Sequence, residues 1–157
     1  MKYLLATFVV FIFFGCSLKE FNHTESKIII IKSPMLKFAD VGYIRNTDKY
    51  VQLELFMAGK SIKKIDINNM ICVDEGCMSK SSFNKEYLNE NYPDDFLQNL
   101  LLGRPIFNSK NYRKTYDGFV QNIIDRHVNI TYRKTNKSLF FKDRKNKIIF
   151  KIKDIDG

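Results

Sequence analysis

The segment YVQLELFM, residues 50–57, alternates apolar with polar side chains from Val51 to Leu55. Successive side chains of a strand point to opposite faces, so one face of this segment would carry Val51, Leu53, Leu55 and Met57. Gln52 and Glu54 would occupy the other face. The alternation predicts a strand with one side against a core and the other in water.

Further extended segments lie on both sides of this strand. Residues 36–45 precede it, and the turn formers at 46–49 predict a hairpin between the two. KIIIIK, residues 27–32, is a β-branched run that predicts a strand buried on both faces or at the centre of a sheet. The remaining extended segments fall at 62–67, at 70–73, at 119–124 together with 128–133, at 139–142 and at 147–155. Together these segments predict about eight strands, mostly antiparallel.

The middle of the chain changes to helical periodicity. Residues 80–91, with Ser81 or Ser82 as N-cap, predict a short helix. A second helix is expected from Pro93, which suits a first turn, to Gly103, which suits a C-terminal cap. Its apolar stripe consists of Phe96, Leu97, Leu100 and Leu101. We therefore expect an α+β or mainly β domain, a curved antiparallel sheet or incomplete barrel with two helices inserted mid-chain that close one side.

The first sixteen residues bear on where the protein resides. Lys2 precedes an uncharged apolar run at 3–14, which Gly15 and Cys16 close. The run is shorter than the roughly 20 residues of a spanning helix, so residues 1–15 are predicted to be a signal peptide. A small residue before this cysteine resembles the lipobox of bacterial lipoproteins. The resemblance implies a diacylglycerol on the Cys16 thiol, with a further acyl chain such as palmitate; the alternative is an ordinary secretory peptide with an incidental Cys16.

The rest of the chain predicts one domain. Removal of residues 1–15 leaves 142 residues, which suits a single core. The lipidated N-terminus and a polar, flexible tether would occupy 16–26, and the β-rich domain 27–157. Because Ser17 follows Cys16, the enterobacterial pattern predicts a lipid-anchored protein of the outer membrane that faces the periplasm.

Two further cysteines, Cys72 and Cys77, are separated by four residues. In an oxidising compartment they are expected to pair, which in the chain-entropy model stabilises the fold by about 2 kcal/mol. A metal site would need two more ligands, and the chain has only His23 and His127 as histidines. We expect a structural disulfide, no metal and no cofactor.

The net charge of +9 favours anionic surfaces such as phospholipid head groups. Basic residues are nevertheless spread from Lys27 to Lys153 without a dominant patch, so a general compositional bias is the simpler explanation. Nucleic acid is not expected as a partner, because an exported lipoprotein seldom meets it.

No catalytic motif stands out in the sequence, and we expect no enzyme. The motifs of serine hydrolases, zinc proteases, P-loop proteins and dinucleotide-binding proteins do not occur. Asp125-Arg126-His127 places a histidine near a carboxylate, but a turn explains this run more simply than catalysis does.

The layout of a Cys-anchored domain with an antiparallel sheet, mid-chain helices and paired strands at the end (130–132, 139–141 and 148–152) resembles the LolB-like group of outer-membrane lipoproteins. The resemblance implies an incomplete barrel whose apolar face, under helices, accepts acyl chains of other lipoproteins. It assigns no residue. From the apolar surplus of both layers we expect the lining to be Val51, Leu53, Leu55, Met57, Phe96, Leu97, Leu100 and Leu101. The alternative is an accessory lipoprotein that docks on an envelope complex through an edge strand or the basic loop 112–116.

Overall fold

The computed structural model describes residues 21–74 and 76–155, and this part of the chain is mainly β. The predicted signal peptide, lipobox and Cys16 lie outside the described residues. The strands are β1 (His23–Lys32), β2 (Lys37–Asn46), β3 (Val51–Met57), β4 (Lys60–Ile67), β5 (Ile71–Val73), β6 (Gly76–Met78), β7 (Tyr112–Thr115), β8 (Gly118–Ile124), β9 (Asn129–Thr135), β10 (Ser138–Asp143) and β11 (Ile148–Asp154). The helices are α1 (Lys80–Tyr87) and α2 (Phe96–Leu101), and a single 3-10 turn follows at Phe107–Ser109.

All eleven strands belong to one open antiparallel sheet, in the order β6-β5-β4-β3-β2-β1-β11-β10-β9-β8-β7. The chain therefore builds two meanders, β1–β6 and β7–β11, and joins them by pairing its first strand with its last. The predicted number of about eight strands is wrong. The two edge strands β6 and β7 were missed because they are short, and because β7, within a predicted polar loop, has no buried residue to mark an alternation.

The isoleucine run of β1 lies at the centre of the sheet but is buried on one face only. Ile29 and Ile31 are buried, whereas Ile28 and Ile30 are 41% and 38% exposed on the other face. Burial on both faces was thus wrong for this strand. The strand also begins earlier than expected: residues 23–26, assigned to the tether, pair with the end of β2.

The residues between β6 and β7 cover one face of the sheet, and we call residues 80–110 the helical layer. Phe96 and Leu100 of α2 are fully buried, as are Tyr132 and Phe141 on the covered face of the sheet. The ring of Phe96 packs edge-on against that of Phe141 at 5.1 Å between centroids. Each such side chain contributes roughly 1.5–3 kcal/mol by leaving water, so this apolar interface is the main source of stability.

Both helices are present, with different starts from those expected. The N-cap of α1 is Ser79, whose Oγ accepts a hydrogen bond from the Ser82 amide at 3.1 Å. Helix α2 begins at Phe96, because Asp95 and the residues before it form turns. Gly103 follows with a φ of +63°, a left-handed conformation that favours glycine and ends the helix.

The predicted disulfide is confirmed, with 2.05 Å between the sulfur atoms of Cys72 and Cys77. The two residues face each other across β5 and β6, so the bond joins the outermost strand to its neighbour. Within the described parts of the chain, no group of three His, Cys, Asp or Glu side chains could hold a metal ion.

Gly42→Ala is expected to lower the free energy of unfolding by about 1–3 kcal/mol. Gly42 lies on the covered face between β1 and β3, where an added Cβ would sit 2.7 Å from Ile29 Cδ1 and 2.9 Å from the Glu54 carbonyl oxygen. Gly76→Ala is the control, because the nearest atom there is 3.9 Å away. Urea unfolding of both variants measures the difference, and equal losses would contradict this account of the packing.

Candidate functional site

The interface between the helical layer and the sheet brings together seven of the eight residues expected to line a cavity. Those buried there are Val51, Leu53, Leu55, Phe96, Leu97, Leu100 and Leu101. Met57 does not join them and is 54% exposed. It is the last residue of β3, beyond a register shift between Leu55 and Phe56 and next to the exposed turn at 58–59.

Buried hydrogen bonds fasten the helical layer to the second meander. The Gln121 side chain of β8 accepts from the Ile106 amide at 2.9 Å and donates to the Ile106 carbonyl at 3.0 Å. The Tyr132 hydroxyl of β9 donates to the Arg104 carbonyl at 3.1 Å. Because Gln121 and Tyr132 are fully buried, these bonds fix the end of the layer over β8 and β9.

A third attachment centres on Asp143, at the end of β10. Its carboxylate is fully buried and accepts from the Tyr92 hydroxyl at 2.8 Å, the Asn129 amide at 3.1 Å and the Asn146 side chain at 2.6 Å. Burial raises the pKa of Tyr92 far above its usual range, and the charge and hydrogen bond of Asp143 add to the effect. The hydroxyl therefore stays protonated and keeps donating to Asp143.

Toward the first meander the helical layer makes apolar contact. Among the described residues, no hydrogen bond or ion pair joins strands β1–β5 to residues 80–110. The residues that face each other there are the leucines of α2 and the apolar side chains of β3. Such contact is non-directional, so it holds the layer without fixing its position.

One polar atom within the layer is left without a partner. Asn84 of α1 is 1% exposed, and its side-chain nitrogen donates to the carbonyls of Tyr92 and Pro93 at 3.1 and 3.0 Å. Its Oδ1 accepts no hydrogen bond from the described residues. An unpaired buried acceptor costs about 1–3 kcal/mol, so the closed arrangement of the layer includes an unfavourable contribution.

A cavity of about 290 Å³ opens at the end of α2. Its apolar wall consists of Ile44, Leu101, Leu102, Leu139 and Ile152. Its rim is charged: Lys27 donates to Asp154 at 2.6 Å and forms an ion pair with Glu25 at 2.8 Å. Burial opposes the charge on Lys27, but its contacts with Asp154 and Glu25 outweigh burial and raise the pKa of the ammonium group.

Of the residues expected to line a cavity, Leu101 alone borders this one. The other buried residues of that set fill the interface beside it. Sequence reasoning did not single out Ile44, Leu102, Leu139 or Ile152 as lining residues. The alternation within β2 and β10 marks Ile44 and Leu139 as buried, but only the pairing of β1 with β11 brings these distant strands to one cavity.

The histidine and carboxylate of 125–127 form a turn. Asp125 Oδ1 accepts from the backbone amides of His127 and Val128 at 2.7 and 3.0 Å, which lowers the pKa of the Asp125 carboxyl. The carboxylate thus contacts the backbone of His127 and not its imidazole. Its interactions are those of a turn-forming aspartate.

Comparison with known proteins gave no match, either to a family model, to a curated protein or to a solved structure. Among the described residues, neither helix is long and apolar enough to cross a bilayer. Two features of the structure bear on function: the apolar interface between the helical layer and the sheet, and the face of the sheet opposite that layer.

Tyr92→Phe is expected to reduce the loss of stability at alkaline pH. A tyrosine of the unfolded chain releases its proton near pH 10, whereas folded Tyr92, with its raised pKa, retains it. Stability present below pH 10 is therefore lost as the pH rises further, by up to about 1.4 kcal/mol per pH unit for this group. Urea unfolding across this range should give a shallower decline for Tyr92→Phe. The control is Tyr116→Phe at a fully exposed position, and an equally shallow decline there would contradict the assignment.

Proposed function

We propose that this protein is a lipid-anchored, non-enzymatic protein of the bacterial envelope that binds acyl chains between its sheet and its helical layer. The observation that carries the proposal is the uneven attachment of the layer, which is hydrogen-bonded to β8–β10 and in apolar contact with β3. The second meander would hold the layer in place while its other side separates from the first meander.

An acyl chain can fill the space that opens in that separation. The leucines of α2 and the apolar side chains of β3 would exchange one hydrocarbon neighbour for another, at about 0.8 kcal/mol for each methylene buried. The hydrogen bonds at Gln121, Tyr132 and Asp143 need not break. A ligand with many polar groups would find no donors on this apolar side, so hydrocarbon is the chemical class that fits.

The cavity at the end of α2 is the proposed entrance. At about 290 Å³ it is near the lower limit of small-molecule sites, roughly 300–1,000 Å³. Ile44 in its wall is paired with Leu53 of β3, so the cavity adjoins the apolar residues that would be uncovered. The rim also carries Lys134, which forms no ion pair with the described residues and therefore suits a carboxylate or phosphate at the end of the chain.

The sheet itself supports a half-barrel form for this site. Neighbouring strands twist by roughly 20–25°, so eleven antiparallel strands with helices on one face favour a curved sheet. This arrangement agrees with the resemblance to the LolB-like lipoproteins. Anchoring at Cys16 would set the domain beside a membrane, because only Ser17–Asn22 separate that cysteine from β1.

Binding of fatty acids tests this proposal. The domain from residue 17 onward should bind a fluorescent fatty acid saturably, and competing acids should bind about fourfold more tightly for each added methylene until the site is full. Leu102→Trp, which fills the cavity, should weaken binding about tenfold or more. Met35→Trp, at a 63% exposed position, is the matched control. Absence of saturable binding, or equal binding by the Leu102→Trp variant, would refute the acyl-chain site.

A second candidate, assembly on an envelope complex, is favoured by one observation. Among the described residues the edge strand β7 pairs only with β8, and all four of its residues are exposed, including Tyr112, Arg113 and Lys114. An open edge can accept an extended segment of a partner through backbone hydrogen bonds.

Capture from detergent-solubilised envelope distinguishes the two candidates. Under the assembly function, a specific partner should be recovered with the protein and lost with Lys114→Pro, because proline removes a backbone donor from the edge. Lys137→Pro, in an exposed hairpin turn, is the control. Recovery of the monomer alone would count against assembly and leave acyl-chain binding as the better account.

A further inference from the structure

The face of the sheet opposite the helical layer concentrates positive charge. Strand register places Lys37, Lys32, Ile149, Lys142 and Thr131 in one row across β2, β1, β11, β10 and β9. The next row contains Lys151 and Arg133, and the third contains Lys153. We call these three rows the basic face. They include six cationic side chains and no carboxylate, and none of their residues is buried.

The first row sets two of these charges directly opposite each other. Lys32 of β1 is paired with Lys37 of β2, and Lys142 lies on the same row two strands from Lys32. Like charges directly across a strand pair are destabilising. On other parts of the sheet some carboxylates are matched to cations, as Glu54 is to Arg45 and Asp154 is to Lys27, both at 2.6 Å. The basic face lacks such partners among the described residues, so its natural complement is an external anion.

Apolar side chains alternate with the cations on this face. Ile28 and Ile30 are exposed, and Ile149 and Phe140 are half-buried. The Lys151 ammonium lies 5.8 Å from the centre of the Phe140 ring. Strands lie about 4.8 Å apart and residues of one face about 6.7 Å apart along a strand, so the face extends roughly 20 by 13 Å. It is a broad surface with no deep groove.

We propose that the basic face lies against the surface of a bilayer that contains anionic phospholipids. Cations interleaved with aliphatic side chains match an interface in which charged head groups overlie hydrocarbon. Single-stranded nucleic acid is a poorer match, because its binders stack bases on aromatic rings and these rows contain one ring, already in contact with Lys151.

The position of the proposed anchor agrees with this orientation, and this step rests on the proposed function. Six residues from Cys16 span at most about 20 Å, and Ile28 lies about 17 Å along β1 from His23. A lipid on Cys16 can therefore enter the same bilayer that the basic face contacts. The acyl chains on Cys16 and the basic face would then act on the same bilayer, the chains by insertion and the cations by attraction to anionic head groups.

The test uses the full chain as cells process it, purified in detergent and reconstituted with vesicles of phosphatidylcholine alone or mixed with phosphatidylglycerol. Ser138→Cys places a fluorophore on the basic face, and Glu86→Cys places one on α1, on the opposite side. Quenching by spin-labelled lipid should be several-fold stronger at 138 than at 86 in the anionic vesicles, and should weaken at high salt. Equal quenching at 138 in both kinds of vesicle would overturn the proposal.

Charge reversal identifies the residues responsible. The triple variant Lys32→Glu, Lys37→Glu and Lys142→Glu should lose the quenching at 138, since each cation near an anionic surface contributes roughly a fivefold change in affinity. The matched control, Lys49→Glu, Lys60→Glu and Lys85→Glu, makes the same change of charge at exposed positions off this face and should retain the quenching. Loss of quenching at 138 in both variants would overturn the proposal. Binding of an oligonucleotide is measured on the same two variants. If the first variant loses that binding while quenching at 138 is the same in both kinds of vesicle, the proposal is also overturned.

Labelled palmitate, measured on the same preparations, reports the anchor separately. Salt-sensitive quenching at 138 without palmitate supports the basic face and counts against the anchor. Palmitate on Cys16 with equal quenching in both vesicles supports the anchor and overturns the basic face. Acyl-chain binding between sheet and helices is measured in the absence of vesicles and depends on neither result.

Discussion

The pairing of β1 with β11 is the interaction on which this structure depends. Lys27 and Asp154, 127 residues apart, meet in this pair, and without it the two meanders would be separate sheets with additional open edges. The pair also aligns Ile29 and Ile31 with Ile152 and Phe150, which places buried side chains from both ends of the chain under one layer. Such a contact closes a loop of nearly the whole domain, so its formation costs more chain entropy than any hairpin in the fold.

The sheet and the helical layer are joined by two kinds of contact with different properties. On the β8–β10 side, Gln121, Tyr132 and Asp143 make directed hydrogen bonds whose loss would leave buried polar groups unpaired. On the β3 side the contact is hydrocarbon against hydrocarbon, which is non-directional and therefore less selective about its partner. A layer held in this way has one side that is fixed by hydrogen bonds and one side that rests on apolar contact alone. This difference, more than the volume of any cavity, distinguishes the interface from an ordinary core.

Local sequence pattern predicted the parts of the fold that have a period. The alternation in β3 identified Val51, Leu53 and Leu55 as core residues, and the stripe of α2 identified its four buried side chains. The cysteine spacing predicted the disulfide. The isoleucine run of β1 correctly predicted a strand at the centre of the sheet but not its burial. Four consecutive apolar residues contain no information about which face is covered, because that depends on strands far away in the sequence. Likewise, no local pattern could reveal that Lys32, Lys142 and Lys151 share one surface, since three strands must align before they do.

The two ends of the sheet differ in what they offer to another chain. At one end β6 is three residues long and is covalently tied to β5, so it presents little backbone for further pairing. At the other end no strand of the residues that the structure describes covers the outer edge of β7. A fibre of many copies would require both edge strands of every sheet to pair with a neighbouring copy. With β7 as the one edge strand open to pairing, two copies can join β7 to β7. The association then stops at a closed twofold dimer and forms no fibre.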